Sequence, residues 1–158
     1  MERLKIQYKN LLTALDTLES AMHLFDTTSK QKFLIELRNP EDEMSQKIIF
    51  NYEDVLKGLR DSLIQRFEYC VDMLWKYLKD YLETVVGTDL EIKGPRPVIR
   101  ATGNARLMSE EDVELAMLMI DSRNRTSHIY KEEIAQEIAH KIHEYYKLMR
   151  KIVDKVKP

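Results

Sequence analysis

Apolar residues recur along this chain at steps of three and four, the spacing of one face of an α-helix. Leu4, Tyr8, Leu11, Leu12, Leu15, Leu18, Met22 and Phe25 form the first such stripe and predict helix one. From Tyr52 to about Val86 the pattern is stronger. Leu59, Leu63, Phe67, Cys70, Leu74 and Leu78 make one seam, and Ile64, Val71, Trp75 and Leu82 a second. Two seams imply a helix buried on more than one side, and Gly87 suits the position just past its end. The last helix spans roughly Glu132 to Val156, with Ile134, Ile138, Ile142, Tyr145 or Tyr146, Met149 and Val153 on its stripe.

Between Asp26 and Asn51 the periodicity fades. Asp26-Thr-Thr-Ser29 and Asn39-Pro40 read as turn signals, and Phe33-Leu-Ile35 as at most one helical turn, so this segment is expected to be a long connection. A helix opens at Ser109-Glu-Glu-Asp112, where a serine cap precedes acids that suit a helix N-terminus. Its body, Leu115 to Ile120, is apolar all round and needs cover on both sides, in part from another subunit. The expected fold is all-α: an up-and-down bundle of four to five helices in one domain over residues 1–158.

Composition agrees with this picture. The 158 residues are 44% hydrophobic and 33% charged, with four glycines and four prolines, too little punctuation for an all-β chain. The single Cys70 cannot form an intramolecular disulfide, and its place in a seam marks it as a core residue. No apolar run resembles a signal peptide or approaches a membrane span, so a cytoplasmic protein without membrane contact is expected. A formal net charge of -2 excludes bulk electrostatic coating of nucleic acid. Any anion must therefore meet a local patch. Lys93, Arg96, Arg100 and Arg106 supply one, in a stretch from Lys93 to Ser109 that holds no acid. Either this is an anion-binding surface, or its bases answer acids elsewhere.

The densest polar cluster is "SRNRTSHIY", Ser122 to Tyr130. On an unbroken helix Arg123 and His128, five residues apart, would point about 140° apart. They share a pocket only if the helix breaks, for which Thr126 and Ser127 are plausible places, or if a second copy supplies the other half. A histidine can take the 2′-hydroxyl proton of RNA while an arginine braces the charge on the attacked phosphate, with no metal. The structural alternative pairs Arg123 with a bundle carboxylate and leaves His128 as a cap. "HKIHE", with His140 and His143, fits no zinc pattern and lacks an apparent third ligand. Metal ligands and cofactors are expected to be none.

"RNRTSHIY" resembles the Arg-Asn-x-x-x-His signature of HEPN domains, and with Tyr130 the Arg-x4-His-x-Tyr form of HepT-type toxins. "LIQRFEYCVDMLWKYLKDYLE" is similar to the long helix of the nucleotidyltransferase substrate-binding proteins, a HEPN branch encoded beside minimal nucleotidyltransferases. "GPRPVIRATGNARLM" resembles the Ser-Pro-Arg-x-Val-Ile-Arg-x-Ala segment of that branch. The resemblance implies a helical bundle that forms a homodimer. Arg123 and His128 would stand at the mouth of the dimer cleft, with Asn124 orienting them and Ser127, Arg96 and Arg100 on the substrate-binding side. Tyr130 would be the hydroxyl that a partner adenylylates in toxins of the HepT kind. Two functions follow as expectations. One is a substrate-binding subunit that pairs with a separate minimal nucleotidyltransferase and holds nucleotide or RNA in the cleft. The alternative is a metal-independent ribonuclease toxin in which Arg123 and His128 are catalytic and the partner neutralises it through Tyr130.

Overall fold

A computed structural model describes residues 1–38 and 41–158. Among them are five α-helices and no strand: α1 (Glu2–Glu36), α2 (Glu43–Tyr81), α3 (Pro95–Asn104), α4 (Glu110–Asn124) and α5 (Glu132–Lys155). The all-α bundle expected from the periodicity is the fold observed. The long α2 touches each of the other four helices, which explains its two apolar seams. Leu63, Phe67, Cys70, Leu74 and Leu78 of the first seam and Ile64, Val71 and Leu82 of the second are buried. Burial pushes the Cys70 thiol up to about 12, as suits an inert core group.

The long connection expected over residues 26–51 is not observed. Helix α1 continues to Glu36 and α2 begins at Glu43, leaving only residues 37–42 between them. Asn39-Pro40, read as a turn signal, lies outside the described residues. The polar run Asp26 to Ser29 stays helical because Thr28 donates back to the Leu24 carbonyl, 2.8 Å away, and caps nothing. Further out, the hairpin is only two helices thick, so no continuous apolar stripe is required. Phe33 and Phe50 are 56% and 62% exposed there. Local i,i+4 pairs, Lys32 with Glu36 and Lys47 with Glu43, support the helices instead. Asp42 caps α2 by accepting from the Ser45 amide at 2.8 Å.

Several termini follow the sequence closely. One π-turn, Leu82–Val86, extends α2, and Gly87 ends it in the left-handed region at φ 77°. Pro95 and Pro97 both fall in the first turn of α3, where no intrahelical donor is lost. Ser109 caps α4 by accepting from the Asp112 amide at 3.2 Å. On α5 it is Tyr145 that is buried, its ring stacked on Phe67 at 5.6 Å between centroids, while Tyr146 is half-buried. Gly103 sits where α3 crosses α4: a Cβ there would come within 2.7 Å of Val113 Cγ2. That close approach fixes how α3 lies on α4 and hence where its arginines point.

Candidate functional site

Helix α4 stops at Asn124, and Thr126–His128 form a single 3-10 turn before α5. The helix therefore breaks inside the motif, at the place the spacing required. Arg125 then accommodates the bend with backbone still in the right-handed region.

Arg123 leans back onto α2. Its Nε and Nη2 each donate to Asp72 at 2.8 Å, a bidentate pair, and Nη2 also lies 3.1 Å from Glu68 Oε1. Thr126 Oγ1 sits 2.8 Å from both Glu68 Oε2 and the Arg123 carbonyl, which compete for its one proton. The hydrogen bond from Arg123 holds the Asp72 carboxyl below its ordinary range, against the opposing effect of burial. Two carboxylates thus surround one guanidinium. Its charge is answered before any ligand arrives.

The rest of the motif turns outward. Asn124, Ser127, His128 and Tyr130 are exposed, Tyr130 by 75%. The His128 and Tyr130 rings meet edge to face at 6.0 Å, and Lys131 Nζ lies 5.9 Å from the Tyr130 ring centre. No hydrogen bond, ion pair or ring contact joins Arg123 to His128 among the described residues. Arg125 forms a second bidentate pair, with Glu137 of α5, both contacts at 2.9 Å. Together with Lys141 it draws the Glu137 carboxyl down to about 2. Between the two arginines, Ser122 and Tyr145 share a buried hydrogen bond of 2.8 Å.

The basic stretch divides. Lys93 pairs with Glu83 at 3.0 Å, and Arg96 donates to Asp121 and lies 3.8 Å from Met117 Sδ. Arg96 is thereby carried to the outer face of α4, one turn before the motif. Arg100 is exposed one turn further along α3, beside a cavity of about 440 Å³ that includes Glu110 and Glu114 of α4. Arg106, at φ 59°, is the one non-glycine residue of the described chain in the left-handed region. Arg100 and Arg106 form no ion pair among the described residues. The structure brings Arg96 toward the motif and leaves Arg100 apart from it.

On the outer face of α4, Leu118 is 55% exposed and Leu115 and Met117 are half-buried. One chain covers only part of the all-apolar segment. Beside the motif, α2 and the 3-10 turn enclose a cavity of about 510 Å³ whose charged walls are Asp61 and Glu68. On a single chain this surface carries acids and no open base.

The sequence offers a bundle carboxylate as one partner for Arg123, and the structure supplies two, Asp72 and Glu68, which the sequence reading did not single out. A usable signal existed: Glu68 and Asp72 stand four apart, the spacing of one helix face, within a helix otherwise buried on two sides. His140 and His143 lie on α5, where His143 Nε2 is 2.7 Å from Asp26 Oδ2. Among the described residues, no group of three or more His, Cys, Asp or Glu side chains is arranged to hold a metal. No described helix is long and apolar enough to cross a membrane.

A five-helix bundle whose polar junction lies between its last two helices defines the class. Residues 6–158 match the family model described as nucleotidyltransferase substrate binding protein like, and the chain belongs to that family. Among solved structures, the protein ttk003001694 from Thermus thermophilus is 27% identical, with a TM-score of 0.67 over 94% of this chain and 99% of its own. HI0074 from Haemophilus influenzae, described as revealing the fold of a substrate-binding domain of a nucleotidyltransferase, is 20% identical. It superposes with a TM-score of 0.61 over 91% of this chain and 99% of its own, and shares the fold. None of the curated proteins matches the chain.

Proposed function

We propose that this protein is the substrate-binding subunit of a two-protein nucleotidyltransferase. It pairs with a separate minimal nucleotidyltransferase, which supplies nucleotide chemistry, and it holds a nucleotide or an RNA in a cleft completed by a second copy of itself. Family membership over residues 6–158 supports the subunit role. One observation carries the choice of binding over catalysis: Asp72 and Glu68 occupy the Arg123 guanidinium, while Asn124, Ser127 and His128 open to solvent. A guanidinium already held by two carboxylates orders the junction and offers little to a phosphate in transit. Exposed Leu118 supports the homodimer, since the apolar face of α4 otherwise meets water. Arg96, on that same face, reaches the cleft the dimer would form, and Arg100 its rim.

The second reading is the metal-independent ribonuclease toxin of the HepT kind, with Arg123 and His128 catalytic and Tyr130 adenylylated by the partner. Tyr130 favours it. At 75% exposure, with no hydrogen bond to its hydroxyl among the described residues, that oxygen is open to another protein's active site.

Sedimentation equilibrium is expected to give a dimer that Leu118→Lys converts to monomer. A co-expressed minimal nucleotidyltransferase is expected to retain nucleotide or transfer RNA on a column when the wild-type dimer is bound to it, and to lose it with the monomeric variant. A wild type that is monomeric and associates with no minimal nucleotidyltransferase contradicts the reading.

A further inference from the structure

A further concavity lies away from the motif. It is a groove of about 810 Å³ between the outer part of the α1–α2 hairpin and the N-terminal half of α5. Phe25, Leu56 and Ala139 give it an apolar lining. At its base lies Arg60, a charged residue only 8% exposed.

Arg60 is incompletely bonded. Its Nη1 donates to Glu132 at the start of α5, and its Nη2 reaches Asp61 only at 3.5 Å. Its Nε is buried with no partner. A buried, unpaired donor on a cation is costly, and a water, ion or ligand oxygen would relieve it. The charges around it point the same way. Each of the three acids lining the groove already has a base: Asp26 holds His143, Glu53 holds Lys32, and Glu132 holds Arg60. The charged lining residue left without an ion pair is a base. Lys57 makes no ion pair among the described residues and stands one turn before Arg60 on the same face of α2. His140 also lines the groove with its ring unpaired.

We propose that this groove is a second binding site, taking a small organic anion whose single oxyanion head meets Arg60 and Lys57 and whose apolar body lies over Phe25, Leu56 and Ala139. The head is a carboxylate or a phosphate ester. The volume is that of an ordinary small-ligand site. The site is separate from the Arg123 junction and stands whether or not that junction binds nucleotide.

The test follows the Arg60 side chain itself. The full chain, labelled with nitrogen-15, is titrated with adenosine 5′-monophosphate and separately with 4-phenylbutyrate, and the Arg60 Nε–H resonance is observed, assigned by its loss in Arg60→Lys. One or both probes are expected to shift that resonance saturably, the responding probe telling which head the groove accepts. Adenosine and 4-phenylbutanol, which lack the head, are expected to bind at least tenfold more weakly. Lys57→Ala, an exposed change that leaves the core intact, is expected to weaken the responding probe severalfold even if Arg60→Lys fails to fold. The proposal is overturned if neither probe moves the Arg60 signal, if the headless compounds bind as tightly, or if Lys57→Ala changes nothing.

Discussion

Two arginines tie α2 to the last two helices, and they do it differently. Arg123, at the motif, meets two carboxylates of α2 with good geometry and has its charge answered. Arg60, twelve residues before Asp72 on α2, is more deeply buried, yet keeps an unpaired donor at the floor of a groove. A satisfied arginine orders a junction, whereas an unsatisfied one leaves a buried donor that a further partner would stabilise. The residue that stands out in the sequence is thus the better bonded of the two.

The strongest way to break this comparison is to remove what stands between its halves. Phe67 lies on α2 between the two arginine sites and is fully buried against Tyr145. Phe67→Ala is expected to cost about 3–5 kcal/mol in urea denaturation and to loosen both sites together. Next comes the packing that aims Arg96. Because a Cβ at Gly103 would meet Val113 at 2.7 Å, Gly103→Ala is expected to destabilise by about 1–3 kcal/mol. Gly103→Ala combined with Val113→Ala is expected to recover part of that loss.

Asp72→Ala sharpens the contrast directly. It is expected to cost about 1–2 kcal/mol, because Glu68 remains to hold Arg123 and the pair is partly solvated. The smallest effect concerns acid. The Asp72 and Glu137 carboxyls titrate below their ordinary values in the folded chain, Glu137 at about 2 against an ordinary 4.5. The unfolded chain therefore takes up protons first as pH falls. Their stabilisation is fully present above about pH 4.5 and disappears as pH drops toward 2. Denaturation midpoints measured between pH 6 and pH 2 are expected to fall across that window, and less steeply in Glu137→Gln. Added salt is expected to shrink the Glu137 contribution, since that pair is half-exposed.

How much of this was readable in advance depends on how local the signal is. The apolar stripes of α2, α5 and α1 as far as Phe25, the Ser109 cap and the Gly87 stop are short-range patterns, and each is observed. The outer hairpin was not readable because a two-helix arm buries little. Exposed Phe33, Leu34 and Phe50 scatter the period on which the reading depends. The motif was found because Arg123, His128 and Tyr130 are close along the chain. Its fixing by Glu68 and Asp72 was not, since those carboxylates lie about fifty residues away. The Arg60 groove is assembled from residues 25 to 143, so no local pattern announces it.

With its guanidinium held by Asp72 and Glu68, the Arg123 junction is expected to order the motif and not to cleave RNA. Purified protein incubated with total transfer RNA in a metal chelator, beside folded His128→Ala and Arg123→Ala variants, tests it most directly. Wild type and both variants are expected to leave the RNA intact. Cleavage by the wild type that both variants lose would contradict that expectation and make the protein a ribonuclease.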